Sequence, residues 1–243
     1  VLLHGYREWN TGLMDKLNGM WAFAIFDKRE KKLFLSRDRF GQKPLFYSFN
    51  KNTFAFASEL RAFCCHSKIT LNLSKRGLQK YCAYGYFPGD YTAYEGVYKL
   101  PAGCHLSVSI KDARPKVQRY WSYRIEPEEG ESKEIEEKWV ACVQDLLEKS
   151  VKRRLISDVP LGIFLSGGLD SASIAFFANR YVTHGQLRTF SIGFSEPSFD
   201  ETDSAKYVAD LLGSLHSVEL FSKDILPSVL EEVFGKLDEP LSD

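Results

Sequence analysis

Residues 161–177 read LGIFLSGGLDSASIAFF. The apolar run that ends at Leu165 stops at Ser166-Gly167-Gly168, and a second apolar run begins after Asp170-Ser171. A strand followed by a helix accounts for both runs, with the polar break at their junction. Such a junction is a natural anion site, because unpaired backbone N–H groups point outward and the helix dipole favours negative charge. Gly167 and Gly168 let the backbone approach a ligand closely and permit positive φ. Ser166 and Ser171 add hydroxyl donors. Asp170 would repel a bare phosphate, so its presence points to a Mg²⁺ bridging carboxylate and phosphates. The string is neither G-x-x-x-x-G-K-[ST], since no lysine follows the glycines, nor G-x-G-x-x-G. A tight turn with Asp170 or Ser171 as helix cap would also use these residues. The whole string S-G-G-L-D-S between strand and helix favours phosphate binding.

Downstream, strand-like and helix-like segments alternate. VPLGIFL precedes SASIAFFANRYV, TFSIGF precedes TDSAKYVADLLG, and HSVEL precedes DILPSVLEEVFGKL, with Pro227 near that helix's first turn. This alternation predicts βαβ units and a parallel sheet. Upstream the texture differs. Leu2, Leu3, Tyr6, Leu13 and Leu17 suggest a short helical start broken at Asn10-Thr11-Gly12. MWAFAIFD, LFLSRD, LFYSF and TFAFAS then read as strands of an antiparallel meander, and apolar residues on both faces of Trp21 to Phe26 predict cover on both sides. The tyrosines Tyr81, Tyr84, Tyr86, Tyr91, Tyr94 and Tyr98 read as packing of a connecting segment rather than a base-stacking surface. CHLSVSI and VQRYW form one more hairpin. The acidic stretch EPEEGESKEIEEK is a linker running into a helix, along which Ile135, Trp139, Cys142, Val143, Leu146 and Val151 recur at helical spacing. Lys149, Lys152, Arg153 and Arg154 suit the dipole at its end. Two architectures share the chain, with a boundary between residues 125 and 134.

Composition limits the function classes. Lys+Arg and Asp+Glu both number 32 in 243 residues, a net charge of zero, so a general nucleic-acid or anionic-membrane surface is not expected. No apolar stretch approaches the roughly 18 residues of a membrane span, and VLLHGYREWN does not read as a signal peptide. The five cysteines, Cys64, Cys65, Cys82, Cys104 and Cys142, contain no C-x-x-C and read as buried free thiols of a cytoplasmic protein.

SGGLDS resembles the pyrophosphate loop of enzymes that split ATP between its α and β phosphates. Its surroundings, SDVPLGIFLSGGLDSASIA, TFSIGFSEPSFDETDSAKYVADLLGSLHSVEL and DEPLSD, resemble the glutamine-hydrolysing asparagine synthetases, as do LNGMWAFAIFDKREKKLFLSRDRFGQKPLFY and FAFASELRAF in the first half. The resemblance covers nearly the whole chain. It implies the later part of a four-layer αββα glutaminase domain of the N-terminal-nucleophile type over 1–125, a linker over 126–133, and the first part of a parallel-sheet α/β ATP-binding domain over 134–243. It implies amidation of aspartate through β-aspartyl-AMP, with ammonia from glutamine and release of AMP and pyrophosphate. Carried over by position, Ser166, Gly167, Gly168, Asp170 and Ser171 would hold pyrophosphate, Asp170 also Mg²⁺, and Leu165 and Ile192 would contact ATP. Asp238-Glu239-Pro240 matches a family D-E-P near the active site, and Arg37-Asp38 reads as a structural ion pair. The family's cysteine nucleophile and its second glycine-rich loop have no match here, so the chain is expected to be an internal piece that is inactive alone. The partners implied are small molecules, with a homodimer open. The alternatives are adenylation of another carboxylate, as in β-lactam synthetases and lasso-peptide cyclases, or a catalytically inactive homologue.

Overall fold

The computed structural model describes residues 1–50, 53–111, 114–127, 133–183, 185–196, 198, 200–222 and 226–240. The chain divides into two compact units, residues 1–125 with 234–243 and residues 126–233. Residues 234–240, read from sequence as part of the second domain, group with the first unit.

In the first unit, α1 (Leu2–Trp9) passes through a 3₁₀ turn at Asn10–Gly12 into α2 (Leu13–Lys16). Strands β1 (Ala22–Asp27) and β2 (Lys32–Arg37) form a hairpin, as do β3 (Phe46–Asn50) and β4 (Thr53–Ala57). The two hairpins do not make a single meander. β2 pairs with β6 (Cys104–Ser109), which pairs with β7 (Lys116–Arg119), whereas β3 pairs with β5 (Val97–Lys99). Two antiparallel sheets result, ordered β1-β2-β6-β7 and β4-β3-β5. Between them lie Leu35, Leu45, Tyr47, Leu100, Leu106 and Val108. Leu13, Met14, Trp21 and Phe34 pack on the far side of the first sheet, under α1 and α2. Phe46, Leu60, Phe63 and Val97 pack on the far side of the second, beside α3 (Arg61–Cys64). The strand covered on both faces is thus β2 rather than β1, whose Phe26 is half exposed at the sheet edge.

The turn that switches sheets, residues 38–43, explains Arg37 and Asp38, which are not held to each other as an ion pair. The buried Asp38 carboxylate accepts backbone N–H bonds from Trp21, Phe40, Gln42 and Lys43 at 2.9–3.3 Å. Arg37 donates to the carbonyls of Gly41, Lys43 and Leu100. A turn rich in unpaired backbone groups consumes both side chains, leaving neither for its neighbour. Burial alone would raise the Asp38 carboxyl, but the four N–H donors outweigh it and hold it below the usual carboxylate range. Its stabilisation is therefore present above the unfolded carboxyl pKa, about 4, and is lost as pH falls below that. Asp38→Ala is expected to cost about 2–4 kcal/mol, because one buried and three partly buried donors lose their acceptor. Asp38→Asn should flatten the acid limb of the stability curve. Urea titrations at pH 7 and pH 3 check both.

Helix α4 (Lys75–Tyr84), capped by Ser74 Oγ on the Gly77 N–H, was not separable in the tyrosine-rich stretch. Of those tyrosines, Tyr81 packs on Phe87 and Tyr98 on Tyr47, whereas Tyr84 and Tyr86 are exposed. All five thiols are free, but only Cys104 is buried; Cys64 and Cys65 at the end of α3, Cys82 on α4 and Cys142 further on are exposed.

In the second unit, α5 (Lys133–Arg154) leads to β8 (Gly162–Phe164), α6 (Leu169–Asn179), β9 (Arg188–Phe194), α7 (Thr202–Leu212) and β10 (Leu215–Phe221), followed by α8 (Leu226–Lys236). The strands are parallel and ordered β10-β9-β8. Residues 128–132 of the acidic stretch lie outside the described residues. The helix after it forms, but Trp139, Val143 and Leu146 are exposed, and the core meets α5 through Leu147 and Val151. That core joins Leu165 to Ala175, Phe177 and Ala178 of α6 and Ala205 and Ala209 of α7. The small alanines allow both helices to lie close to the sheet. Among the described residues, no helix is long and apolar enough to cross a membrane.

Candidate functional site

The S-G-G-L-D-S string occupies the junction between β8 and α6. The sheet pairing runs one residue past β8, since the Leu165 N–H donates to the Phe190 carbonyl at 2.8 Å. The Leu165 carbonyl accepts from the Ser191 hydroxyl, so the last strand residue is fixed on both sides. The chain then turns at Gly167, where φ is +76°. A Cβ there would stand 2.5 Å from Ser204 Cβ and 2.8 Å from the Ala205 nitrogen. The first turn of α7 therefore rests directly on the loop, and only glycine satisfies both the backbone and the contact.

Gly168 is the N-cap of α6 and offers no side chain to its first N–H groups. The serines instead bond to each other and to the loop. Ser166 Oγ lies 3.0 Å from Ser171 Oγ, the Ser166 N–H donates to Ser171 Oγ, and Ser171 Oγ donates to the Gly168 carbonyl. The loop is thus held in shape by its own hydroxyls while Asp170, in the first turn of α6, is exposed. An uncapped helix start with the dipole behind it favours an anion.

Leu165, Ser166, Gly167 and Gly168 form the loop, and Asp170 and Ser171 lie in the first turn of α6 that follows it. Leu165 and Ser166 also line a cleft of about 370 Å³ with Phe164, Phe190, Ser191, Ile192, Phe194 and Glu201. Ile192 lies on this cleft as its position in TFSIGF suggests. Strand β9 alternates: Thr189, Ser191 and Gly193 are buried, while Phe190, Ile192 and Phe194 are exposed. The cleft opens at the carboxyl ends of parallel strands, where ligands of open α/β sheets bind. Its volume falls within the range of small-molecule clefts, about 300–1,000 Å³. Phe164, Phe190, Phe194 and Glu201 were not picked out from sequence. The period-2 alternation of TFSIGF carried the signal for the two phenylalanines of β9, but a parallel strand is expected to be covered on both faces, which hid it.

No group of three or more His, Cys, Asp or Glu side chains converges on a metal position among the described residues. Asp170, one exposed carboxylate, does not make a cage. A single carboxylate could serve as one ligand of a Mg²⁺ whose other ligands would be phosphate oxygens and water.

Asp238 and Glu239 group with the first unit. The Asp238 carboxylate accepts the Leu60 N–H at 2.7 Å and the Arg61 N–H and Nε at 3.2 Å. Glu239 pairs with Lys99 at 2.7 Å, and burial pushes its carboxyl up against the pull of that lysine. Residues 241–243 of the DEPLSD match lie outside the described residues.

Comparison with known proteins divides the chain in the same order. A glutamine amidotransferase domain model matches residues 1–121, and an asparagine synthase model matches residues 142–243. A Methanocaldococcus jannaschii protein, provisionally named glutamine-hydrolysing asparagine synthetase 2, is 35% identical over 246 residues, covering 100% of this chain and 47% of its own. Glutamine-hydrolysing asparagine synthetase 1 of Bacillus subtilis is 33% identical over 243 residues, covering 100% of this chain and 37% of its own. An amidase of Gibberella zeae is 27% identical over 257 residues, at 100% and 37% coverage. The chain thus spans about half the length of these relatives or less. With both domain models matched in sequence order and relatives aligned across the whole chain, the chain belongs to the asparagine synthase family.

Proposed function

We propose that this chain is part of an enzyme that amidates aspartate to asparagine by way of β-aspartyl-AMP, drawing ammonia from glutamine. On this reading residues 1–125 are the later part of a four-layer αββα glutaminase domain, 126–133 a linker, and 134–243 the first part of the ATP-binding domain. The observation that carries it is the SGGLDS loop, which presents uncapped backbone at the start of α6 beside an apolar cleft.

A carboxylate is a poor acyl donor until it carries a good leaving group. Attack of its oxygen on the α-phosphorus breaks the α–β phosphoanhydride bond and expels pyrophosphate. Ammonia then attacks the activated carbonyl, and AMP departs. Holding nucleophile and phosphorus in line, and neutralising the departing pyrophosphate, are the tasks of the protein. Ser166, Gly167, Gly168 and Ser171 offer N–H and hydroxyl donors to the β and γ phosphates. Leu165 and Ile192 form part of the wall that takes the adenine. Asp170 would hold Mg²⁺, which supplies charge neutralisation on the phosphates.

The whole enzyme of which this chain is proposed to be part, given ATP, Mg²⁺, aspartate and either glutamine or ammonia, should form asparagine, AMP and pyrophosphate in equal amounts. Formation of ADP and phosphate would overturn the reading. The amidase name of one relative favours a second acceptor as the alternative. Pyrophosphate release with other carboxylates but not with aspartate would select it.

A further inference from the structure

The cleft beside the loop carries one carboxylate, Glu201, to which the reaction outlined above assigns no task. Glu201 immediately precedes α7, yet its side chain makes no capping bond to that helix. Among the described residues its carboxylate has no hydrogen-bond or ionic partner, whereas its neighbour Asp200 is engaged with Thr202 and the Phe194 N–H. The other cleft residues are Phe164, Leu165, Phe190, Ile192 and Phe194, with the hydroxyls of Ser166 and Ser191. Glu201 is exposed on this cleft, so its carboxylate is open to a donor from a bound ligand.

The position narrows what that ligand group is. The first turn of α7 rests on Gly167, and Glu201, just before that turn, lines the same cleft as Leu165 and Ser166. A carboxylate repels phosphate oxygens, and the apolar wall suits a flat base. Between base and phosphates, a nucleotide has a ribose with two vicinal hydroxyls. Both can donate, and their spacing matches the two oxygens of one carboxylate. An acidic side chain serves a ribose hydroxyl in the same way in dinucleotide-binding folds.

We propose that Glu201 accepts the 2′- and 3′-hydroxyls of the bound nucleotide and makes the site selective for ribonucleotides. This rests on the reading of the cleft as an ATP site. Pyrophosphate release by the protein should show kcat/KM at least about tenfold higher for ATP than for 2′-deoxyATP, the scale of one charge-assisted hydrogen bond. In Glu201→Gln and Glu201→Ala, kcat/KM for ATP should fall about ten- to hundredfold, mainly through KM. The value for 2′-deoxyATP should change much less, bringing the ratio towards one. An unchanged ratio in both variants, with ATP turnover intact or uniformly reduced, overturns the proposal. A raised KM for the amino-acid substrate alone overturns it as well, by assigning Glu201 to that substrate's ammonium. No ATP-dependent pyrophosphate release by the unsubstituted whole enzyme defeats the ATP-site reading itself, and this proposal with it.

Discussion

Gly167→Ala is expected to abolish ATP-dependent pyrophosphate release and to lower the stability of the second unit by about 2–5 kcal/mol. Two costs add. A non-glycine residue at φ +76° pays roughly 1–2 kcal/mol for its backbone alone. Its Cβ also meets the Ala205 nitrogen at 2.8 Å, and backbone cannot step aside as a side chain can, so overpacking adds about 1–3 kcal/mol. Relief would come by moving the first turn of α7 off the loop, which spoils the N–H array that phosphate needs. Gly168→Ala is the control. Its φ of −73° is ordinary, and the nearest atom to a new Cβ is Ser166 Oγ at 3.4 Å, so its stability loss should stay under about 1 kcal/mol. Denaturant unfolding of the two variants compares them directly. Equal stability would remove the steric account of the loop.

Asp170→Ala is expected to do the opposite: leave the fold unchanged and remove the chemistry. Asp170 is exposed, so truncation should move stability by no more than about 0.5 kcal/mol. Losing the carboxylate that would hold Mg²⁺ on the phosphates should slow pyrophosphate release at least about a hundredfold. The loss should show in kcat more than in KM for ATP if the charge matters most as pyrophosphate departs. Normal turnover in this variant would take Asp170 out of the mechanism.

Much of this was legible from residues. SGGLDS declared its own place because no other part of the chain puts glycines, hydroxyls and a carboxylate between two apolar runs. The strand–helix alternation after it fixed a parallel sheet, and the paired strand runs before it showed antiparallel hairpins. What escaped was non-local. Nothing in RFGQKP says that the turn moves the chain to a second sheet, because its geometry depends on Leu100 and Trp21, which are distant in sequence. Arg37 and Asp38 are adjacent and opposite in charge, so an ion pair was the natural expectation, yet backbone groups outbid it. Asp238 and Glu239 carried no sign that Arg61 and Lys99 would hold them. Glu201 escaped because an acidic residue at the start of a helix is sufficiently explained by the helix dipole.

The central claim is that a carboxylate oxygen attacks the α-phosphorus. It is tested most directly by running the reaction with aspartate whose side-chain carboxylate carries ¹⁸O and examining the nucleotide product by mass spectrometry. Each turnover should leave one ¹⁸O in AMP, because the bridging oxygen of the acyl adenylate departs with the phosphate when ammonia attacks the carbonyl. Unlabelled AMP, or label appearing only in phosphate released alongside ADP, would contradict it.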